Sequence, residues 1–309
     1  MREVFMMKKN RLGQSDLYIS ALGLGCMSLG TDEKTAFPVL EAAMEAGINY
    51  FDTADLYDLG QNEQLLGKFF KQNREDIIIA SKAGNKWQEG KEGWTWDASK
   101  SYIKEAAKNS LKRLGTDYID LYQLHGGTLD DPIDETIEAF EELKEEGYIR
   151  YYGISSIRPN VIREYVKRSN IVSVMMQYSV LDRRPEEEAL PLLHENGISV
   201  VARGPVAKGL LSDNFARKLS SKGYMEYTEE ELRSTLESLK EKFAGKHSLL
   251  EAAVQYNLAN PAVASVIAGA SSVLQLQENA KAVNSAALTP DELKIIQEAS
   301  KASIYKDHR

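Results

Sequence analysis

Two rhythms of apolar and polar positions alternate along the chain. Short runs rich in Val, Ile, Leu and Tyr are each followed by a longer stretch with helical spacing. Eight such runs occur: ALGLG (21–25), INYF (48–51), DIIIASK (76–82), YIDLYQLH (118–125), YIRYYGISS (148–156), VSVMMQYSV (172–180), ISVVAR (198–203) and VASVIAG (263–269). The stretches between them predict helices. Asp32 to Ala46 is ended by Gly47, and NEQLLGKFFK follows the second strand. A long helix is capped by Asp97 and stopped by Gly115, another runs from Pro132 to Gly147, and a third starts at Pro159. Pro185 opens a helix stopped by Gly197. A long insertion after the seventh strand carries TEEELRSTLESLKEKFAG and SLLEAAVQYNLAN. Ser272 to Val283 and TPDELKIIQEASKA close the chain. At the other end, MKKNRLGQSDLYIS, with a central Gly-Gln-Ser-Asp, predicts a β-hairpin.

Eight strand-helix units predict a parallel sheet covered by helices and closed as a (β/α)8 TIM barrel, with an N-terminal β-hairpin and an extra C-terminal helix. No low-complexity linker divides residues 1–309, so one domain is expected. GLGCMSLG (23–30) opens with Gly-x-Gly after a strand, as a dinucleotide-binding turn does. The third glycine of that fingerprint is missing, because Ser28 stands in its place.

Composition narrows the function classes. The 309 residues carry a formal net charge of -8, which argues against nucleic acid or an anionic membrane as the main partner. The single cysteine, Cys26, rules out an internal disulfide and a multi-cysteine zinc site and fits a reducing compartment. MREVFMMKKNR is charged and unlike a secretory signal, and no apolar run approaches the roughly 20 residues that span a bilayer. A cytoplasmic protein is expected. The histidines show no metal-ligand spacing, and no G-x-S-x-G supports a serine nucleophile.

The candidate chemistry lies at the strand exits, which form the active face of such a barrel. The second strand runs into Asp52 and, five residues on, Tyr57. The third ends at Lys82 and the fourth at His125. Each alone reads as a rim or loop residue; three consecutive strands delivering four proton-sharing groups to one face read as machinery. A phenol holds its proton too tightly to donate readily near neutrality. An ammonium about 4 Å away, at an effective dielectric near 20, favours the phenolate by about 4 kcal/mol before desolvation. Lys82 can supply that charge, Asp52 can hold Lys82 in place, and His125 can hydrogen-bond a substrate oxygen. This suits reduction of a carbonyl, with hydride from a nicotinamide or a flavin. Two alternatives stay open: a barrel lyase or aldolase using Lys82 as a Schiff-base nucleophile, and a weakly catalytic, nucleotide-binding redox sensor.

With these residues in view, nearly the whole chain resembles the aldo-keto reductases. FDTADLY followed by NEQLLG looks like the family's signature, and IIIASK and YIDLYQLH look like its lysine and histidine strands. GISS, MMQYS, ARGPVAKGLL and VIAGASSVLQLQEN match its cofactor segments in order. The resemblance implies NADPH-dependent reduction of a small aldehyde or ketone, with NADH as a possible substitute. It implies a tetrad of Asp52, Tyr57, Lys82 and His125, with Tyr57 as general acid. Ser155, Ser156 and Gln177 would hold the nicotinamide carboxamide. Gly204, Val206, Lys208, Gly209 and Leu211 would cover the pyrophosphate. Gly269, Ser271, Gln275, Glu278 and Asn279 would meet the adenosine end.

Three departures stand out. Ser156 replaces a frequent asparagine, Arg203 stands where many members stack an aromatic ring, and Gly269 and Gln275 replace a lysine and an arginine of NADPH-preferring members. The last implies a moderate preference for NADPH. Gly25, Cys26 and Met27 are expected near the nicotinamide. Trp87, Trp94 and Trp96, all in AGNKWQEGKEGWTWD, are expected to wall the substrate pocket. The sequence leaves the oligomeric state open.

Overall fold

The computed structural model describes residues 7–88 and 90–309; the charged start, MREVFM, lies outside the described residues. Strands β1 (Lys9–Arg11) and β2 (Tyr18–Ser20) form the antiparallel hairpin. The barrel strands are β3 (Leu22–Gly25), β4 (Tyr50–Asp52) and β5 (Ile78–Ala83). A two-residue pair follows, β6 (Asn85–Lys86) with β7 (Thr95–Trp96). The barrel resumes with β8 (Ile119–Leu124), β9 (Ile149–Ser155), β10 (Ser173–Gln177), β11 (Ser199–Arg203) and β12 (Val263–Gly269). Eight parallel strands close in the order β10-β11-β12-β3-β4-β5-β8-β9. This is the (β/α)8 barrel, and the hairpin and the extra C-terminal helix are both present.

The helices are α1 (Glu33–Glu45), α2 (Gln61–Phe70), α3 (Lys100–Leu114), α4 (Ile133–Glu145), α5 (Pro159–Arg168), α6 (Ala189–Glu195), α7 (Glu229–Phe243), α8 (Leu249–Leu258), α9 (Val273–Val283) and α10 (Pro290–Ala299). Capping boxes fix the starts of α7, α8 and α10 at Thr228, Ser248 and Thr289. Three local expectations need correction. Asp97 does not cap α3: Ser99 does, accepting from Tyr102 N, while Asp97 holds the Ser99 hydroxyl at 2.6 Å. A short side chain that bonds its neighbour's hydroxyl and amide serves the cap at one remove. Pro185 lies in a 3₁₀ turn, Arg184–Glu186, and α6 begins only at Ala189. The second strand sits two residues later than INYF, because Asn49 is taken up in contacts with Ser20 and Tyr18 of the hairpin.

The core has two shells. The outer one lies between sheet and helices. The inner one fills the barrel with Tyr50, Ile78, Ala80, Leu121, Met175, Val201 and Ile267, and is closed below by Leu12, Leu17 and Ile19 of the hairpin. The inner shell is tight. A Cβ at Gly23 would meet Ile267 Cδ1 at 2.4 Å and Tyr50 Cδ1 at 2.7 Å, so only glycine lets β3 complete the ring here. Among the described residues, no helix is long and apolar enough to cross a membrane.

Candidate active site

Side chains alternate along a strand with period two, and this carries the inner shell upward to the open mouth. From Tyr50 the next inward residue is Asp52. From Ile78 the series runs through Ala80 to Lys82, and from Leu121 through Gln123 to His125. Met175 leads to Gln177, Val201 to Arg203 and Ile267 to Gly269. Tyr151, packed against the same shell, leads through Gly153 to Ser155, and Gly23 leads to Gly25. The ladder pairs Gly25 with Asp52, Gln177 with Arg203, and Gly269 with Gly25. Each barrel strand thus delivers one candidate residue to the upper end of the barrel.

On the arc β4, β5 and β8 the groups are ionisable; Asp52 and Lys82 are buried, Tyr57 and His125 partly so. The chain beyond β4 keeps pairing with β5, Thr53 N donating to Ala80 O at 2.9 Å and Asp55 N to Lys82 O at 3.2 Å. That holds Asp52 beside Lys82. The Lys82 ammonium, 0% exposed, donates to Asp52 Oδ1 at 2.6 Å, Thr53 O at 2.8 Å and Tyr57 Oη at 3.3 Å. Burial opposes this charge, but Asp52 and then Tyr57 overcome it, and the Lys82 pKa lies above the ordinary lysine value. All three ammonium protons are engaged. A Schiff-base nucleophile must be a free amine, so this environment weighs against the lyase alternative.

Tyr57 is turned into place by an unusual backbone. Asp58, Leu59 and Gly60 follow it at φ 48°, 51° and 83°, and left-handed non-glycine residues of this kind cluster at functional sites. The Tyr57 ring meets His125 edge-on, with centroids 5.9 Å apart. The His125 amide donates to Ala83 O at 2.7 Å, and its buried Nδ1 meets no partner among the described residues. Burial, then Lys82 and Arg203, push the His125 pKa down to about 3, so the imidazole is neutral at physiological pH.

The remaining five exits, β9 to β12 and β3, are wetter. Ser155 ends β9, half-buried; Ser156 is buried and its Oγ accepts from Arg158 N at 3.2 Å. Gln177 receives Arg203 Nη1 on its Oε1 at 3.1 Å. The loop after Arg203 is strained. Gly204, Ala207, Lys208 and Gly209 all have positive φ, at 68°, 46°, 59° and 87°. Val206 O holds this loop closed, accepting from Gly209 N and from the amide of buried Leu211. Such successive left-handed residues make concavities lined by backbone N–H groups. At the start of α9, Gln275 Oε1 accepts from Ser271 N at 3.0 Å. Glu278 is exposed, and Asn279 donates to Gly269 O at 3.3 Å. Cys26 is fully buried, and burial pushes its thiol well above the ordinary range; Met27 beside it is 65% exposed.

The three tryptophans do not converge. Trp96 lies over the β5 and β8 exits, its ring against the Cα positions of Gly84 and Gly126, and donates to Asp131 at 2.7 Å. Trp94 is 55% exposed. Trp87 sits on the outer flank, near Arg113 of α3, and lines a separate cavity of about 220 Å³ with Asp55 and Tyr102. Sequence reasoning missed Asp182 and Arg184, which stand behind Gln177, and Tyr224 and Met225, which approach it. The local signal for the first two was the LDRR that follows MMQYS after Val180.

A model of the aldo/keto reductase family matches residues 21–301. The chain belongs to the aldo-keto reductase family. It is 61% identical over 307 residues to an uncharacterized oxidoreductase, YqkF, of Bacillus subtilis (strain 168), covering 98% of this chain and 100% of that one. The NADH-specific methylglyoxal reductase of Escherichia coli (strain K12) is 34% identical over 231 residues, 68% of this chain and 71% of that one. Among solved structures, the holo form of aldo-keto reductase AKR11C1 from Bacillus halodurans superposes with a TM-score of 0.94. It is 61% identical and covers 98% of this chain and 99% of that one. As an aldo-keto reductase, the protein is an NAD(P)H-dependent oxidoreductase, and its family acts on small carbonyl substrates.

Proposed function

We propose that the protein reduces the carbonyl of a small aldehyde or ketone, with Tyr57 donating the proton and Lys82, Asp52 and His125 preparing it. The observation that carries this reading is the dry ammonium of Lys82, held between Asp52 and the Tyr57 hydroxyl. As the carbonyl oxygen gains charge, Tyr57 gives it a proton, and the phenolate left behind is stabilised by the ammonium 3.3 Å away. Neutral His125 offers an N–H to the same oxygen. Water then returns a proton to Tyr57. When bound, reduced nicotinamide supplies the hydride.

The five-strand arc fits such a cofactor by its chemistry. Ser155, Ser156 and Gln177 carry the donors and acceptors an amide needs. The strained loop at 204–209, with Lys208, suits a pyrophosphate, and the start of α9 suits the adenosine end. Gly269 and Gln275 give a 2′-phosphate no cationic partner, so we propose NADPH with only moderate preference and NADH as an accepted substitute. The name of the Escherichia coli relative, which specifies NADH, is consistent with that tolerance. We also propose a cytoplasmic location, since the lone cysteine is buried and unpaired.

The test is reduced-cofactor oxidation with a panel of aldehydes. Tyr57→Phe should lower turnover by about 10²- to 10⁴-fold while cofactor still binds. Full turnover in Tyr57→Phe would remove Tyr57 as the donor, and borohydride trapping of substrate on Lys82 would restore the lyase alternative.

A further inference from the structure

Behind the mouth, one buried carboxylate decides which way an amide faces. Gln177 ends β10, and its Nε2 donates to Asp182 Oδ2 at 2.8 Å. The remaining Nε2 proton faces Tyr224 Oη at 3.4 Å and Met225 Sδ at 3.7 Å. Asp182 is 0% exposed. It sits in a tight turn closed by reciprocal backbone bonds with Ser179, of 3.2 and 3.0 Å. Arg184 grips both of its oxygens, Nε to Oδ1 at 2.7 Å and Nη2 to Oδ2 at 2.8 Å. The guanidinium itself lies over the Tyr305 ring, 4.8 Å from its centroid.

A carboxylate gripped in this way can only accept, so the Gln177 nitrogen must face it and the Gln177 carbonyl must face the other way. That carbonyl takes one proton from Arg203 on the exposed side and keeps a second acceptor direction. Toward a ligand, therefore, Gln177 is an acceptor and never a donor. We propose that Asp182 is a positioning residue that locks Gln177 in this orientation, making the site selective for the –NH2 of a nicotinamide carboxamide. A ring substituent without N–H would leave the Gln177 carbonyl unpaired. The proposal rests on the reading that this arc takes a nicotinamide cofactor.

Asp182→Asn separates this role from packing. The Arg184 fork would claim the one remaining oxygen, and the new amide would turn its N–H toward Gln177. Gln177 would then flip and present its own NH2. Binding is read by titration calorimetry with oxidised nicotinamide dinucleotide phosphate, its 3-acetylpyridine analogue, and 2′-phospho-ADP-ribose. Wild type should bind the carboxamide form at least about tenfold more tightly than the acetyl form, a difference of about one good hydrogen bond. Asp182→Asn should lose most of that ratio, while binding of 2′-phospho-ADP-ribose stays unchanged. Equal wild-type affinities for the two dinucleotides, or equal weakening of both by Asp182→Asn, would overturn the proposal. Should that variant fail to fold, Gln177→Leu takes its place: it should erase the ratio, and a ratio retained would overturn the proposal as well. Wild type that binds neither dinucleotide would overturn the functional reading itself, whereas binding without discrimination overturns only the role of Asp182.

Discussion

The mouth of the barrel divides into two arcs of different physics. On β4, β5 and β8 a buried ion pair organises the functional groups: Lys82 spends all three of its protons on Asp52, Thr53 and Tyr57, and a neutral, partly buried His125 stands beside them. On β9 to β12 and β3 they are neutral or solvated, come from strand ends and from the loops after them, and rest on backbone strain and on Arg203, Gln177 and Asp182 in series. The first arc is rigid because a buried charge tolerates only one arrangement of partners. The second is more exposed, as the dinucleotide proposed for it would require. The Tyr57 hydroxyl on the first arc is thus held by the Lys82 pair, while Asp52 Oδ2 and His125 Nδ1 beside it have no hydrogen-bond partner among the described residues.

Removing a partner from the first arc should give the largest effect. Lys82→Met strands the Asp52 carboxylate and should lower unfolding stability by about 3–5 kcal/mol, measured by urea denaturation. Adding Asp52→Asn should recover part of that loss. No recovery would mean that the pair is not the unit described.

The next effect concerns acid. His125 has a folded-state pKa near 3, well below its ordinary 6.5, so between those values the unfolded chain binds the extra proton. Its contribution is therefore present above pH 6.5 and is lost as pH falls toward 3. Denaturation midpoints at pH 7 and pH 5 should drop more for wild type than for His125→Asn. An equal drop would place the acid sensitivity elsewhere.

On the open arc the effects should be smaller and confined to binding. Arg203 puts a cation where the oxidised, positively charged ring would lie. Arg203→Tyr should tighten oxidised cofactor, by up to about tenfold in direct titration. Loss of affinity for reduced cofactor alone would contradict this. Smallest of all, Gln275→Arg should shift the preference toward the 2′-phosphate by about tenfold or less, read from kcat/KM for NADPH against NADH. An unchanged ratio would mean that position 275 does not meet the adenosine.

The order of the elements, the closed parallel barrel, and the placing of Asp52, Tyr57, Lys82 and His125 on neighbouring exits were all determined by sequence. The physical reason is that strand period, turn glycines and helix caps act over a few residues. The alternation that buries Tyr50 and Ile78 also turns Asp52 and Lys82 into the mouth. Tertiary structure alone decided the contacts between residues far apart in the chain or dependent on one geometry. Trp96 pairs with Asp131, 35 positions away, while Trp87 turns to the outer flank although it sits in the same loop. Asp182 stands five residues from Gln177 and LDRR hints at its pairing with Arg184, yet only the folded chain lays that guanidinium over Tyr305 of the C-terminal tail. Local propensity acts along the chain, but hydrogen-bond direction and burial are set only when distant segments meet.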